Sequence, residues 1–325
     1  MSTREAIHWD AHSAVPIKHS YPIRNVIRHK RSGFDFVSIN VGMDMNAVGD
    51  IMQLLACFRA QIASSNEMLL ASRIADVIEA KRQGKLAVAF DLEGAVPLLD
   101  NLAMIPLYYD LGVRHMHLAY NRRNSVAGGC YEPAAPLTPL GKDIVKTCQR
   151  IGMVVDCSHM NERSAMAVME IAEKPVIFSH SNPRALNPNL RNITDAMIDA
   201  CARTGGTIGV NGMSNFQFDR RATVEGLLRS IDYIVQRVGP KHAGIGLDYV
   251  YDQEQDALPS DADPNYWFPR EHGYDENYYR TSAFVPPDEI PELMNQLARR
   301  GYAEDDIEAI WGVNFFRIAS ECWKA

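Results

Sequence analysis

The stretch Leu86-Ala87-Val88-Ala89-Phe90-Asp91-Leu92-Glu93-Gly94 begins as a short apolar run and finishes on two carboxylates ahead of a glycine. Such a run reads as a buried strand, and ionisable groups at its end mark the mouth of a site in parallel α/β folds. The same grammar recurs along the chain. Candidate strands are Ala6–Asp10, Phe34–Val41, Leu86–Leu92, Val113–Leu118, Met153–Cys157, Val176–Ser179, Thr207–Asn211 and Ala243–Leu247. Between them lie amphipathic segments of crossover-helix length, at Met45–Ala63, Leu69–Lys81, Pro139–Arg150, Glu162–Ala172, Asp195–Arg203 and Val224–Val238. This alternation is that of βα units, and eight of them predict a closed (β/α)8 TIM barrel. A doubly wound open sheet is the alternative, but no Gly-x-Gly-x-x-Gly follows an early strand to cradle a dinucleotide.

The length of 325 residues suits one such barrel of ~250 residues with inserted loops, so residues 1–325 are read as a single domain. An aromatic-rich loop, Tyr251–Pro287, follows the eighth strand and carries Tyr266, Trp267, Phe268, Tyr274, Tyr278 and Tyr279. In a barrel it would hang over the catalytic face as a lid, although an interface excursion explains the aromatics equally well. Helical patterns resume at Asp288–Arg300 and Glu304–Cys322.

Hydrophobic residues at 46% and charged residues at 22% describe a globular chain, not a disordered or fibrous one. A net charge of -7 argues against nucleic acid as the main partner, since phosphate binding draws on clustered Lys and Arg. A small-molecule substrate fits better. The opening residues lack the apolar stretch of a signal peptide, and no long uncharged apolar run follows, so the expected location is the cytoplasm with no membrane partner. The 6 cysteines are scattered without a C-x-x-C pair and read as buried thiols, Cys157 included.

Polar residues gather where the strands finish: Asp10 and His12, Asp91 and Glu93, Asp156, Ser158 and His159, Ser179 and His180, and Asp248. Imidazole and carboxylate together suit Zn²⁺ or a similar divalent ion, which points to metal-assisted hydrolysis. His115 and His117 share one face of the fourth strand and can chelate, yet they lie inside the strand, where structural hydrogen bonding explains them too. The basic run Arg28, His29, Lys30, Arg31 reads as a solvated face.

In order and spacing, Asp10-Ala11-His12, Asp91-Leu92-Glu93-Gly94, Asp156-Cys157-Ser158-His159, Phe178-Ser179-His180-Ser181, Arg191-Asn192-Ile193-Thr194-Asp195 and Gly244-Ile245-Gly246-Leu247-Asp248 resemble the membrane (renal) dipeptidase family, metallopeptidase family M19. The likeness runs to Trp311-Gly312-Val313-Asn314-Phe315. It implies an amidohydrolase-like TIM barrel with a two-zinc site that cleaves dipeptides, and a homodimer as a candidate assembly. By position, Glu93 would bridge the metals, His159 and His180 would complete one of them, and His12 would belong to the other. Asp248 would orient or deprotonate the attacking water and could help the second metal. Arg191 would grip the substrate's free carboxylate, as a forked guanidinium can.

Two departures stand out. The family reads His-x-Asp after the first strand, both residues being ligands, whereas this chain has His12-Ser13-Ala14, and alanine cannot ligate. One or two Zn²⁺ ions are therefore expected, the second short of ligands. Tyr120 stands where many members place a substrate-binding histidine; a phenol can still donate a hydrogen bond but does not become cationic. The expected function is metal-dependent hydrolysis of a small amide, a dipeptide or an N-acyl amino acid. The alternatives are a catalytically altered barrel that binds a ligand or partner without turnover, and a lactonase-type hydrolase.

Overall fold

Ten strands form β1 (Trp9–Ala14), β2 (Phe36–Met43), β3 (Met68–Leu70), β4 (Leu86–Glu93), β5 (Val113–His117), β6 (Val154–Asp156), β7 (Val176–Ile177), β8 (Ile208–Val210), β9 (Ala243–Ile245) and β10 (Tyr249–Val250) in a computed structural model that describes residues 6–274 and 281–324. Their pairings are all parallel, in the order β10-β1-β2-β4-β5-β6-β7, with β8 beside β9 and β3 added to the edge of β4. Backbone bonds close the ring. Gly209 N donates to Phe178 O at 2.8 Å, joining the end of β7 to β8, and Asp248 N donates to His12 O at 2.9 Å, joining the end of β9 to β1. The eight expected strands are thus the eight staves of a TIM barrel.

Side-chain alternation divides the core in two. On β4, Leu86, Val88, Phe90 and Leu92 pack outward with Leu54, Leu55 and Phe58 of the helix Val48–Ala63. Ala87, Ala89, Asp91 and Glu93 take the opposite, inward face. At the N-terminal end of the barrel that interior is apolar: Trp9 stacks on Phe36 at 3.4 Å, beside Ala87, Ala89, Val154 and Ile177, with Phe315 and Trp323 from the C-terminal helix as a plug. Towards the C-terminal end it becomes ionisable, first Asp91, His115 and Asp156, then His12, Glu93, His117 and His180, all buried. A register irregularity between Asp10 and Ser13 lets Trp9 and His12, an odd and an even position, both serve the interior.

Three element expectations are corrected. The first strand is Trp9–Ala14 rather than Ala6–Asp10, because residues 13 and 14 gain a second partner in β10, so His12 lies within the strand. Leu69–Lys81 is not wholly helical: Met68–Leu70 pair with β4, and the helix Ile74–Arg82 starts where Asp76 caps the amides of Ser72 and Arg73. The C-terminal pattern breaks into Glu304–Glu308, a wide turn at Ala309–Val313 and Asn314–Cys322. At that turn Gly312 lies against the backbone of β1's approach, where a Cβ would stand 2.3 Å from Ile7 O. Tyr278 and Tyr279 of the expected lid lie outside the described residues. Among the described residues no helix is long and apolar enough to cross a membrane.

Candidate metal centre

Four imidazoles aim one ring nitrogen at a single carboxylate oxygen. Glu93 Oε1 lies 2.9 Å from His159 Nε2, 3.3 Å from His180 Nε2, 3.6 Å from His12 Nε2 and 3.7 Å from His117 Nδ1. In three of the rings the other nitrogen is hydrogen-bonded. His159 Nδ1 donates to Asn121 Oδ1 at 2.7 Å, His180 Nδ1 meets Ser179 Oγ at 2.7 Å and His117 Nε2 donates to Asp156 Oδ2 at 2.8 Å. His12 Nδ1 sits 3.1 Å from Asp91 Oδ1, an ionic contact that is not aligned as a hydrogen bond. Outer partners of this kind fix ring orientation and tautomer so that the inward nitrogen carries a lone pair, as metal sites require.

The backbone is bent to deliver these groups. His159, Asp248 and Asn121 all have left-handed φ, at 65°, 54° and 56°. Conformations of this kind cost of order 1 kcal/mol or more each and persist where tertiary contacts hold them. Cys130 N secures His159 O, and Asn211 Nδ2 donates to Asp248 Oδ2 at 2.9 Å, which turns Asp248 Oδ1 towards His12 Nε2 at 3.6 Å. Gly94 has φ 131°, and a Cβ there would collide with the Asp44 carboxylate, which accepts from Val96 N and Tyr120 N.

Charge makes the cradle a cation site. Burial alone would depress His12, but Asp91, Glu93 and Asp248 outweigh it and raise its imidazole to about 10. Burial lifts the Glu93 carboxyl to about 7 and raises Asp248, while it drives His159 and His180 well below their ordinary range, so both rings are neutral. Asp91, despite burial, is held to about 2 by His12 and His115. A field that draws a proton onto buried His12 draws a divalent ion as well. His12 Nε2 and His117 Nδ1 are buried without a hydrogen-bond partner, an expense in a dry interior that a metal bond removes. The donor set therefore fits a divalent transition metal.

Glu93, His159 and Asp248 line a cavity together with Val15, Ile17, Met43, Met213, Phe216, Phe268 and Phe284, and with Ala14, Tyr120, Gln253 and Asp256. It encloses about 670 Å³ of space, its open mouth included. Phe268, Tyr274 and Phe284 come from the loop expected as a lid, so the described part of that loop contributes to the cavity lining.

A profile of membrane dipeptidases, peptidase family M19, matches residues 17–258. The chain belongs to the membrane dipeptidase family. Dipeptidase tcpJ of Claviceps purpurea is 28% identical over 79% of this chain and 56% of its own length. Uncharacterized dipeptidase C965.12 of Schizosaccharomyces pombe is 31% identical over 85% of this chain and 60% of its own. The chain thus spans rather more than half the length of these relatives. An amidohydrolase from Pseudomonas aeruginosa superposes with a TM-score of 0.83 at 22% identity, covering 98% of this chain and 97% of that one. A metallopeptidase from Rhodobacter sphaeroides, solved with a phosphinate mimic of the dipeptide L-Ala-D-Ala, gives 0.76 at 18% identity, covering 98% and 100%. At these identities the structures establish the fold.

Within this dipeptidase-family fold, His12, Glu93, His159, His180 and Asp248 come together as the sequence suggested. Tyr120 joins them, its ring stacked on His159 at a centroid distance of 4.3 Å. Arg191 is no surface residue. It is buried beneath the site, with Nη1 donating to Ser181 Oγ and Nη2 to His180 O, both at 2.9 Å, and Nε without a partner. His29 corrects the solvated reading of residues 28–31: it is fully buried, bonded to Asp10 Oδ2 at 2.7 Å and Tyr251 OH at 2.6 Å. Asp10 also accepts from Ser13 Oγ and Leu247 N, so it ties β1 to β9 and is turned away from the centre. Sequence reading gave no role to Asn121, Asp44 or Asp256, and their signal was weak, since each lies in a loop and Asn121 and Asp44 act across long sequence separations.

Proposed function

We propose that the protein is a zinc-dependent hydrolase of small amides, a dipeptidase in action. The observation that carries this is the convergence of buried ring nitrogens on Glu93 Oε1 at the floor of a largely apolar cavity. Glu93, His159 and His180 would hold the principal ion, and His12 with the other flank of Glu93 a second. A bound divalent ion supplies Lewis-acid polarisation of the amide carbonyl and lowers the pKa of water to near 7.

The chain's own residues supply the rest. Asp248, raised by burial and anchored through Oδ2 by Asn211, presents Oδ1 to receive the proton of the attacking water. Arg191 lies buried behind His180, outside the cavity lining, and its unpartnered Nε would be the donor for a substrate carboxylate that reaches it. The Tyr120 ring at the wall positions the scissile amide through its hydroxyl. Asp256 also lines the cavity; burial lifts it to about 6, it accepts from Ala257 N, and it would receive a substrate's ammonium group. A buried guanidinium beside the site and a carboxylate in the cavity lining suit a free dipeptide, the ligand class mimicked in the Rhodobacter sphaeroides structure. The 6 free cysteines, none in a disulfide, suit the reducing cytoplasm.

Steady-state kinetics of zinc-loaded protein on dipeptides, their amides and N-acyl amino acids tests the reading. Arg191→Ala should cost roughly 2–3 kcal/mol in kcat/KM on free-carboxylate substrates and little on C-terminally blocked ones. Asp256→Asn should raise KM for free dipeptides but not for N-acyl amino acids. Equal responses of free and blocked substrates would reject the assigned ends. A second reading, a barrel that binds without turnover, draws on Ala14, whose methyl lines the cavity where the family places a ligand. It is favoured if metal-loaded protein turns over no dipeptide, acyl amino acid or lactone.

A further inference from the structure

We propose that His117, inside strand β5, is a metal ligand of this chain, joining Glu93, His159 and His180 on one ion. The proposal rests on the metal-centre reading above and extends its donor set. A core histidine that serves structure alone uses both ring nitrogens, as His29 does with Asp10 and Tyr251. His117 does not. Its Nε2 donates to Asp156 Oδ2 at 2.8 Å, while its Nδ1, on a residue with no exposed surface, has no hydrogen-bond partner and lies 3.7 Å from Glu93 Oε1.

That resembles the arrangement of the neighbouring rings: one nitrogen held by a polar side chain, the other turned to Glu93. Ligand atoms from Glu93, His117 and His159 all lie within 4.8 Å of one another, and His159 Nε2 is 3.0 Å from His180 Nε2. Metal–nitrogen bonds of ~2.0–2.1 Å place tetrahedral ligands roughly 3.3 Å apart, a spacing that Glu93 Oε1 already approaches with His159, His180 and His117. The buried Asp156 carboxylate behind His117 would raise the basicity of the ring as outer-sphere carboxylates do. Ala14 offers no donor to the centre, and His117 supplies an additional one from another strand.

Zinc affinity by competition with a chromophoric chelator, and X-ray absorption of protein holding one equivalent of zinc, test this without reference to turnover. His117→Gln keeps an amide able to donate to Asp156 but removes the imidazole. It should weaken zinc binding at least tenfold, lower the imidazole count by one and alter the visible bands of the Co²⁺ form. Wild-type protein should itself show three imidazoles on that ion, which tests the proposal even if the variant fails to fold. An unchanged zinc Kd and imidazole count in His117→Gln, or two imidazoles in the wild type, would overturn the role of His117 while leaving the metal centre standing. Wild-type protein that binds no zinc would overturn both.

Discussion

Ala14 presents a methyl group to the cavity, from a strand position paired with Val250 and close to Asp248. A carboxylate there would give the His12 side of Glu93 a third protein ligand, the usual minimum for tight zinc binding. Ala14→Asp should therefore raise retained zinc from about one towards two ions per chain after dialysis; elemental analysis checks it, and two tightly held ions in the wild type would refute the premise. Proton competition sets the pH dependence. Burial holds Glu93 at about 7 and its neighbours hold His12 protonated to about 10, so ligation must displace protons and zinc affinity should fall on acidification. Expected is at least a tenfold weaker Kd at about pH 6 than at about pH 8; a flat profile would show that Glu93 is not a ligand. These residues were legible because Glu93, His159, His180 and Asp248 each follow an apolar run. His117 was legible only as able to chelate, with structural hydrogen bonding an equal account, since a histidine within a strand carries no mark of the depth at which its ring sits. His29 was misread because its partner Tyr251 lies 222 positions away while its neighbours in sequence are basic.

Strands and helices are joined at the N-terminal end of the barrel by Asp35. Its carboxylate accepts from His8 N at 3.1 Å, Lys30 Nζ at 2.9 Å and Lys81 Nζ at 2.6 Å, linking the approach to β1, the helix Ile27–Arg31 and the helix Ile74–Arg82. Burial would raise its pKa, but the two ammonium groups prevail and lower it. A carboxyl depressed in the folded state adds stability that is complete above its unfolded pKa of about 3.9 and vanishes as pH falls through the folded value. Asp35→Asn should thus cost about 2 kcal/mol in urea unfolding at neutral pH, the two lysines being partly solvated. The gap between variant and wild type should close on acidification below about pH 4, and a pH-independent gap would assign the loss to packing. All eight staves were readable from apolar runs, because parallel strands are covered on both sides. Their ends were less so: β1 moved to take a second partner, and β3 depends on an open edge of β4, both tertiary facts absent from local pattern.

Across the whole molecule, stability and chemistry occupy opposite ends of one barrel. The site hangs on strand C-termini and on loops with strained backbones, whereas the N-terminal end is closed by the C-terminal segment: His8 stacks on Trp311 at 3.8 Å, and Trp323 packs against Trp9 and Phe36. Gly312 lets that segment touch β1's approach, since a Cβ would lie 2.3 Å from Ile7 O and 2.4 Å from Trp9 N, both unyielding backbone atoms. Gly312→Ala should consequently force the two segments apart, at roughly 2–3 kcal/mol, the scale of an overpacked core. Bound zinc would add stability through its affinity for the folded state alone, about 2.7 kcal/mol at a hundredfold excess over Kd. If the two ends are independent, the melting temperatures of the zinc-free and zinc-loaded variant should drop together, with the zinc Kd within twofold of wild type. A zinc affinity that fell along with the melting temperature would instead mean that the apolar plug sets the depth of Asp91, His115 and Asp156, and through them the aim of His12 and His117.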